Sequence, residues 1–189
     1  MALQKKSENW KLKKWYTVHA PKVFNDAAVG EMPANDEKAA MGRNIVVGLD
    51  SLTKNPSHAY TTATLKVIEV SGANANTALV SISQLYSYVR SLVRRYRSIA
   101  SSVVPVTTKD GNRMTVKMLV ITRQRTTHSR ILGIRKEMDQ MVRDFFSSTD
   151  SDAAVTAIIE GKFQADLSAR LEHIAPLNKV EVRRLDVGK

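Results

Sequence analysis

Apolar and polar positions alternate along residues 60–70, YTTATLKVIEV, a run rich in β-branched side chains that predicts a long strand. Ser71-Gly72-Ala73-Asn74 turns the chain into residues 77–82, its expected antiparallel partner. Trp15 and Tyr16 open a similar alternation, WYTVHA, which reads as a sheet or core anchor. After Gly42-Arg43, IVVGLD reads as a short buried strand. Asp110-Gly111 between two β-rich runs is a hairpin signal. In the second of those runs Met114, Val116, Met118 and Val120 share one face, and Thr115, Lys117, Leu119 and Ile121 share the other. Both faces are partly apolar, which predicts an interior strand. Pro105 has no amide hydrogen to donate, so its strand belongs at an edge or a bulge.

Helical spacing enters at Leu85, Val89, Leu92, Val93, Tyr96 and Ile99, which trace one face of a helix over residues 85–99 with Ser83 as the expected N-cap. Ile131, Ile134, Met138, Met141, Val142 and Phe145 repeat that spacing, although Gly133 weakens the first turn. A polar break follows at residues 147–152, then helices over residues 153–160 and 163–173, and a last strand marked by Val180, Val182 and Leu185. Strands prevail before residue 123 and helices after it. The expected fold class is α+β, a curled, mostly antiparallel sheet with helices packed on it. A chain of 189 residues with 43% hydrophobic content suffices for one domain that buries roughly 70% of its unfolded surface. That domain is assigned to residues 15–189. Residues 1–14, with five Lys against one Glu, are expected to be a basic N-terminal arm that orders on a partner.

Charge changes the picture most. The formal net charge is +11, and residues 81–136 alone carry all of it, with twelve Lys or Arg and Asp110 as their single acid. A merely solvating surface mixes the two signs, so near-absence of carboxylates points to a polyanionic partner. On the expected helix, Arg90, Arg94 and Arg97 lie within about 60° of one another, with Arg95 at the border. Beyond the hairpin, Arg123, Arg125 and Arg130 lie in a basic loop interleaved with Thr126, Thr127 and Ser129. Such an inventory suits phosphate and sugar contacts. The candidate RNA-contacting residues are Lys11, Lys13, Lys14, Arg90, Arg94, Arg95, Arg97, Arg113, Arg123, Arg125, Arg130, Arg135, Lys136, Arg183 and Arg184.

No catalytic pattern competes with that reading. His19, His58, His128 and His173 have no metal-ligand spacing, and the chain has no GxxxxGK[ST], GxGxxG or GxSxG motif. Cofactor and metal are therefore expected to be none, and the protein is not expected to be an enzyme. Absent cysteines suit a reducing compartment. No apolar run approaches the roughly 20 residues of a membrane span, and the N-terminus lacks the apolar core of a signal peptide. A soluble cytoplasmic protein without a membrane partner is the expectation.

Several segments, in order over nearly the whole chain, carry a family likeness. They are Trp15-Tyr16 with Ala20-Pro21 and Phe24-Asn25; Gly42-Arg43 with Leu49-Asp50-Ser51-Leu52; Ser91 to Ile99; and Val106 through Thr107-Thr108-Lys109-Asp110-Gly111. Ile134-Arg135-Lys136 with Met138, and Pro176-Leu177 with Val180, Val182 and Arg183, complete the set. Together they resemble the archaeal and eukaryotic small-subunit ribosomal proteins of the S3Ae family. The long Lys-rich N-terminal extension and the polar C-terminal tail of eukaryotic members are missing, so the likeness is to an archaeal member. Gly133 and the Leu85-Tyr86 helix start also depart from the eukaryotic pattern. This resemblance implies a β-barrel-like core with flanking helices, on the platform of the small subunit near the mRNA exit. It further implies small-subunit rRNA, neighbouring platform proteins and mRNA at the exit as partners. A stand-alone RNA or DNA chaperone using the same basic face is the alternative.

Overall fold

The computed structural model describes residues 13–188. In chain order the strands and helices are β1 (Lys14–His19), β2 (Ala28–Ala34), α1 (Glu37–Ala40), β3 (Asn44–Gly48), α2 (Leu49–Thr53), β4 (Thr61–Ser71), β5 (Asn74–Gln84) and α3 (Tyr86–Leu92). They continue with β6 (Ile99–Thr107), β7 (Arg113–Thr122), α4 (His128–Ser148), α5 (Ser151–Glu160), α6 (Lys162–Leu171) and β8 (Leu177–Val187). The architecture is mixed α+β, as the patterning predicts.

The β-branched alternation of β4 and its turn at Gly72, with φ of +60°, produce a hairpin paired from Thr61↔Gln84 to Ser71↔Asn74. That pairing occupies one edge of β5 along its whole length. Two strands share the other edge. β1 runs parallel to β5 against residues 74–76, and β8 runs antiparallel to it against residues 81–83. From there the sheet continues β8-β7-β6 on one side, while β2 adds to β1 and β3 to β4. Among the described residues β2, β3 and β6 each pair with one strand only, so the eight-stranded sheet is not closed.

One face of β5-β8-β7-β6 is covered by the three long helices. On α4, Ile134, Met138, Val142 and Phe146 recur every fourth residue and are fully buried, the spacing that lays one stripe of a helix on a sheet. They meet Met114, Val116, Met118 and Val120 of β7, Val180, Val182 and Leu185 of β8, and Phe163, Leu167 and Leu171 of α6. The opposite face of β7 presents Leu119 and Ile121, which α3 caps with Val89, while Leu92 and Ile99 pack at the margin. β7 is thus interior and β6, with Pro105, lies at an edge.

Four expectations need correction. The helix expected over residues 85–99 is seven residues long, because Ile99 begins a ladder of nine pairs with β7 from Ile99↔Ile121 to Thr107↔Arg113. A nine-pair ladder with a buried strand outweighs two further turns of an uncapped helix. Ser83 does not cap it: Leu85 stands at the cap, and Ser83 sits in β5 with its hydroxyl 3.2 Å from that of Thr62. The strand around IVVGLD is an edge strand that ends at Gly48, and its Val46 is 66% exposed. The Trp15-Tyr16 alternation does form a sheet strand, β1, but of the pair only Tyr16 enters the core; strand alternation turns Trp15 outward, 63% exposed.

The cap of α5 comes from elsewhere in the chain. Asp150 occupies the N-cap without a side-chain bond. Instead Asp110, at the β6–β7 hairpin tip, accepts from the Ser151 backbone N–H at 2.8 Å and from its hydroxyl at 3.1 Å. The backbone bond from Ser151 holds the Asp110 carboxyl below its ordinary value of 3.8 against the opposing effect of burial, with the Ser151 hydroxyl, Asp150 and Lys109 adding to the lowering. A lowered carboxylate pKa means that this stabilisation is present above the ordinary value and is lost as pH falls through the lowered one. Asp110→Asn is therefore expected to lower the urea midpoint at pH 7 and to leave it unchanged at a pH below both values. A deficit of equal size at both pH values would show that the charge of the carboxylate does not stabilise this cap.

Candidate nucleic-acid interface

The nine-pair ladder of β6 and β7 sets two basic loops side by side. Residues 93–98 lead into β6, and residues 123–127 leave β7 for α4. Because Ile99 pairs with Ile121, the loops emerge from the same end of the sheet. Short polar side chains then stitch them together. The Ser98 amide donates to Thr122 Oγ1 at 3.0 Å, the Thr122 amide donates to the Ser98 carbonyl at 3.0 Å, and the Thr126 amide donates to Ser98 Oγ at 2.9 Å. Thr122 Oγ1 also donates to the Gln124 carbonyl at 2.6 Å. These bonds order two loops that sequence alone leaves independent.

The arrangement gathers Arg94, Arg95 and Arg97 with Arg123 and Arg125. Arg130 joins them from the first turn of α4, since that helix begins at His128 and shortens the expected basic loop. No acidic residue stands in that first turn, so the positive end of the helix dipole adds to the local potential. The ion pairs among the described residues involve Lys117, Lys162, His173, Lys179 and Arg184, and none of these six arginines. Arg123 is partly committed to the fold, as its Nε donates to the Leu177 carbonyl at 2.9 Å. Arg90, one helix away, lays its guanidinium 5.4 Å from the centroid of the Tyr86 ring.

Other candidate residues lie apart from this cluster. Arg113 begins β7 and the loops follow its end, ten residues or about 30 Å away. Lys13 and Lys14 are exposed beside β1, which meets the start of β5 rather than its end. Arg183 and Arg184 are exposed mid-strand on β8, and Arg184 Nε lies 2.5 Å from Asp186. Lys136 is exposed on α4, whereas Arg135 is half-buried with its Nε enclosed and without a hydrogen-bond partner among the described residues. Lys11 and most of the expected arm fall outside the described residues.

Two features escape a reading of the sequence. Lys179, opposite Ile121 on β8, donates to the Tyr88 hydroxyl and lies 2.9 Å from Glu181. Gln84 Nε2 also donates to Glu181, at 2.5 Å. Burial works against the Lys179 charge, but Tyr88 and Glu181 outweigh it and hold the ammonium above the ordinary lysine value. The nearest acid on the neighbouring strand is thereby engaged before any ligand arrives. Tyrosines are the second feature. Tyr60, Tyr86 and Tyr96 are 55%, 65% and 84% exposed, although helical periodicity assigns Tyr96 to an apolar face.

Among the described residues no three His, Cys, Asp or Glu gather in a way that would hold a metal ion. No helix among them is long and apolar enough to cross a membrane. The arrangement offers guanidinium groups, hydroxyls and exposed rings, which is chemistry for binding a phosphate backbone.

A sequence model of the Ribosomal S3Ae family matches residues 2–189. The chain is similar to the small ribosomal subunit protein eS1 of Sulfolobus acidocaldarius, with 39% identity over 183 residues, 96% of this chain and 93% of that protein. It is also similar to the proteins of the same name from Pyrobaculum neutrophilum, 35% identical over 96% of this chain and 82% of that one, and from Methanococcus vannielii, 33% identical over 95% and 82%.

Proposed function

The chain belongs to the Ribosomal S3Ae family, and from that premise we propose that it is a structural constituent of the small ribosomal subunit in the cytoplasm, not an enzyme. Its relatives carry the name of small-subunit proteins, and the similarity to them covers 82–93% of their length. Its partners in this reading are small-subunit rRNA and neighbouring ribosomal proteins, on the platform near the exit of the mRNA. The domain expected over residues 15–189, which Lys14 also joins by pairing with Ala34 in β1, acts as one unit whose curled sheet wraps towards a barrel, and the rest of the expected arm of residues 1–14 orders on the subunit.

The observation that carries the reading is the basic end of the sheet. Two loops and a helix start present Arg94, Arg95, Arg97, Arg123, Arg125 and Arg130 with no acidic partner among the described residues. Charges so placed neutralise phosphates and release counterions, which binds RNA by charge and shape rather than by base sequence. Arg90 and Lys136 extend the surface. Lys11, Lys13, Lys14, Arg113, Arg135, Arg183 and Arg184 serve secondary contacts.

Sedimentation through sucrose at about 0.5 M monovalent salt tests the assignment. A built-in constituent is expected to stay with the small subunit there, since many buried contacts hold it besides the screened ones. A chaperone held by charge alone would wash off, and release of the whole population would remove the structural role.

A further inference from the structure

Tyr96 stands where a tyrosine is least expected. It is the turn residue of the loop between α3 and β6, and its backbone is left-handed, with φ of +65°. Among the described residues the other non-glycine positions with positive φ are Asn25, Asp26 and Lys54. Asn and Asp enter that region readily, and Lys54 ends a helix there. A bulky aromatic residue in it is strained, because its Cβ crowds the backbone carbonyl. The ring gains nothing from the fold to offset the strain, being 84% exposed. The loop is nonetheless held on both sides. The Val93 amide donates to the Arg90 carbonyl at 3.3 Å, and Ser98 is tied to Thr122 and Thr126. Strain kept at a solvent-facing position within an anchored loop is characteristic of a binding residue.

The neighbours say what kind of ligand fits. Arg94, Arg95 and Arg97 flank the ring in sequence, and Arg123 and Arg125 approach from the adjoining loop. An apolar protein partner would have to bury these guanidinium groups without carboxylates to pair them. Single-stranded RNA satisfies both features at once, its phosphates meeting the arginines and an unpaired base stacking on the phenol ring. We infer that Tyr96 is a stacking platform for an unpaired nucleobase of an RNA strand bound at the basic end of the sheet. This rests on the RNA-binding reading above and adds to it a contact that an RNA duplex does not make.

Fluorescence titration of the full chain against a single-stranded oligoribonucleotide carrying 2-aminopurine tests the inference. Wild type and Tyr96→Phe are expected to quench the probe through stacking. Tyr96→Leu and Tyr96→Gly are expected to abolish the quenching and to bind about tenfold more weakly. Tyr96→Gly should unfold at a temperature no lower than wild type, because glycine accepts the positive φ that tyrosine resists. That variant separates a failure of stacking from a failure of folding. Quenching and affinity unchanged in Tyr96→Leu would overturn the inference. So would normal RNA binding together with failed incorporation into the subunit, which would assign the ring to a protein neighbour. Salt distinguishes the stacking contact from RNA binding as such. A wild type whose RNA affinity ignores salt would sink the RNA-binding reading itself. A steep salt response with an unaffected Tyr96→Leu would sink the stacking contact alone.

Discussion

Replacing Arg94, Arg95 and Arg97 together by alanine is expected to weaken RNA binding at least roughly tenfold while leaving the fold nearly as stable as before. Hydrogen bonds to charged groups are worth about 1.5–3 kcal/mol each, and about 1.4 kcal/mol is a factor of ten in affinity. The salt slope should also become shallower, by about 0.7 for each single-strand phosphate or about 0.9 for each duplex phosphate left without its arginine, and so by up to about 2.1–2.7 for three. Little folding energy is at stake. Arg94 and Arg95 are exposed, Arg97 is half-buried, and none is in an ion pair among the described residues. Surface substitutions of that kind shift stability by about 0.5 kcal/mol or less. The check is thermal unfolding of the triple variant alongside its RNA titration at two or more salt concentrations. A triple variant with the wild-type slope would move the RNA interface away from this loop. One that fails to bind because it unfolds would show the arginines to be structural.

Phe146→Ala is expected to do the reverse. The ring is fully buried near the C-terminal end of α4, edge-on to Phe145 at 5.5 Å and to Phe163 at 6.3 Å between centroids. Truncation removes its transfer free energy and leaves a cavity that α6 and the sheet cannot both close, a destabilisation of about 3–5 kcal/mol. Against a total stability of about 5–15 kcal/mol, that is a large fraction. For a chain of this length it corresponds to a fall in Tm of roughly 6–20 °C. RNA affinity per folded molecule should stay close to wild type, because Phe146 lies sixteen residues along α4 from Arg130, a rise of about 24 Å. Urea unfolding supplies the stability and titration below the transition supplies the affinity. An unchanged urea midpoint would mean that the aromatic cluster is not part of the cooperative core.

The contrast between these two substitutions follows how much of each region is legible in the chain. The stripe that Phe146 closes is legible through Ile134, Met138 and Val142, because helix geometry is local, but helical spacing continues it with Phe145, and only burial in the fold puts Phe146 at its end. The β4–β5 hairpin is legible for the same reason: alternation of period two, interrupted at Gly72, needs no information from elsewhere. The interior place of β7 is legible too, since both its faces are apolar. Composition adds the basic character of residues 81–136, a property no packing can alter.

Where a local pattern satisfies two structures, only the tertiary fold chooses between them. Leu92, Val93, Tyr96 and Ile99 fit the face of a longer helix, yet the chain leaves the helix at Val93. The preference is settled by β7, a strand fourteen or more residues further on, which offers Ile99 and its successors nine ladder pairs and a buried face. That choice turns Tyr96 from an apolar helix position into a strained, exposed ring. It also removes Arg94 and Arg97 from a shared helix face with Arg90 and sets them beside Arg123 and Arg125. Residues nearly thirty positions apart meet there because antiparallel pairing returns the chain to its starting end, and Ser98, Thr122 and Thr126 lock the two loops together. The sign and amount of charge are written in the chain itself; the surface on which the charge converges exists only once distant backbone amides have found their partners.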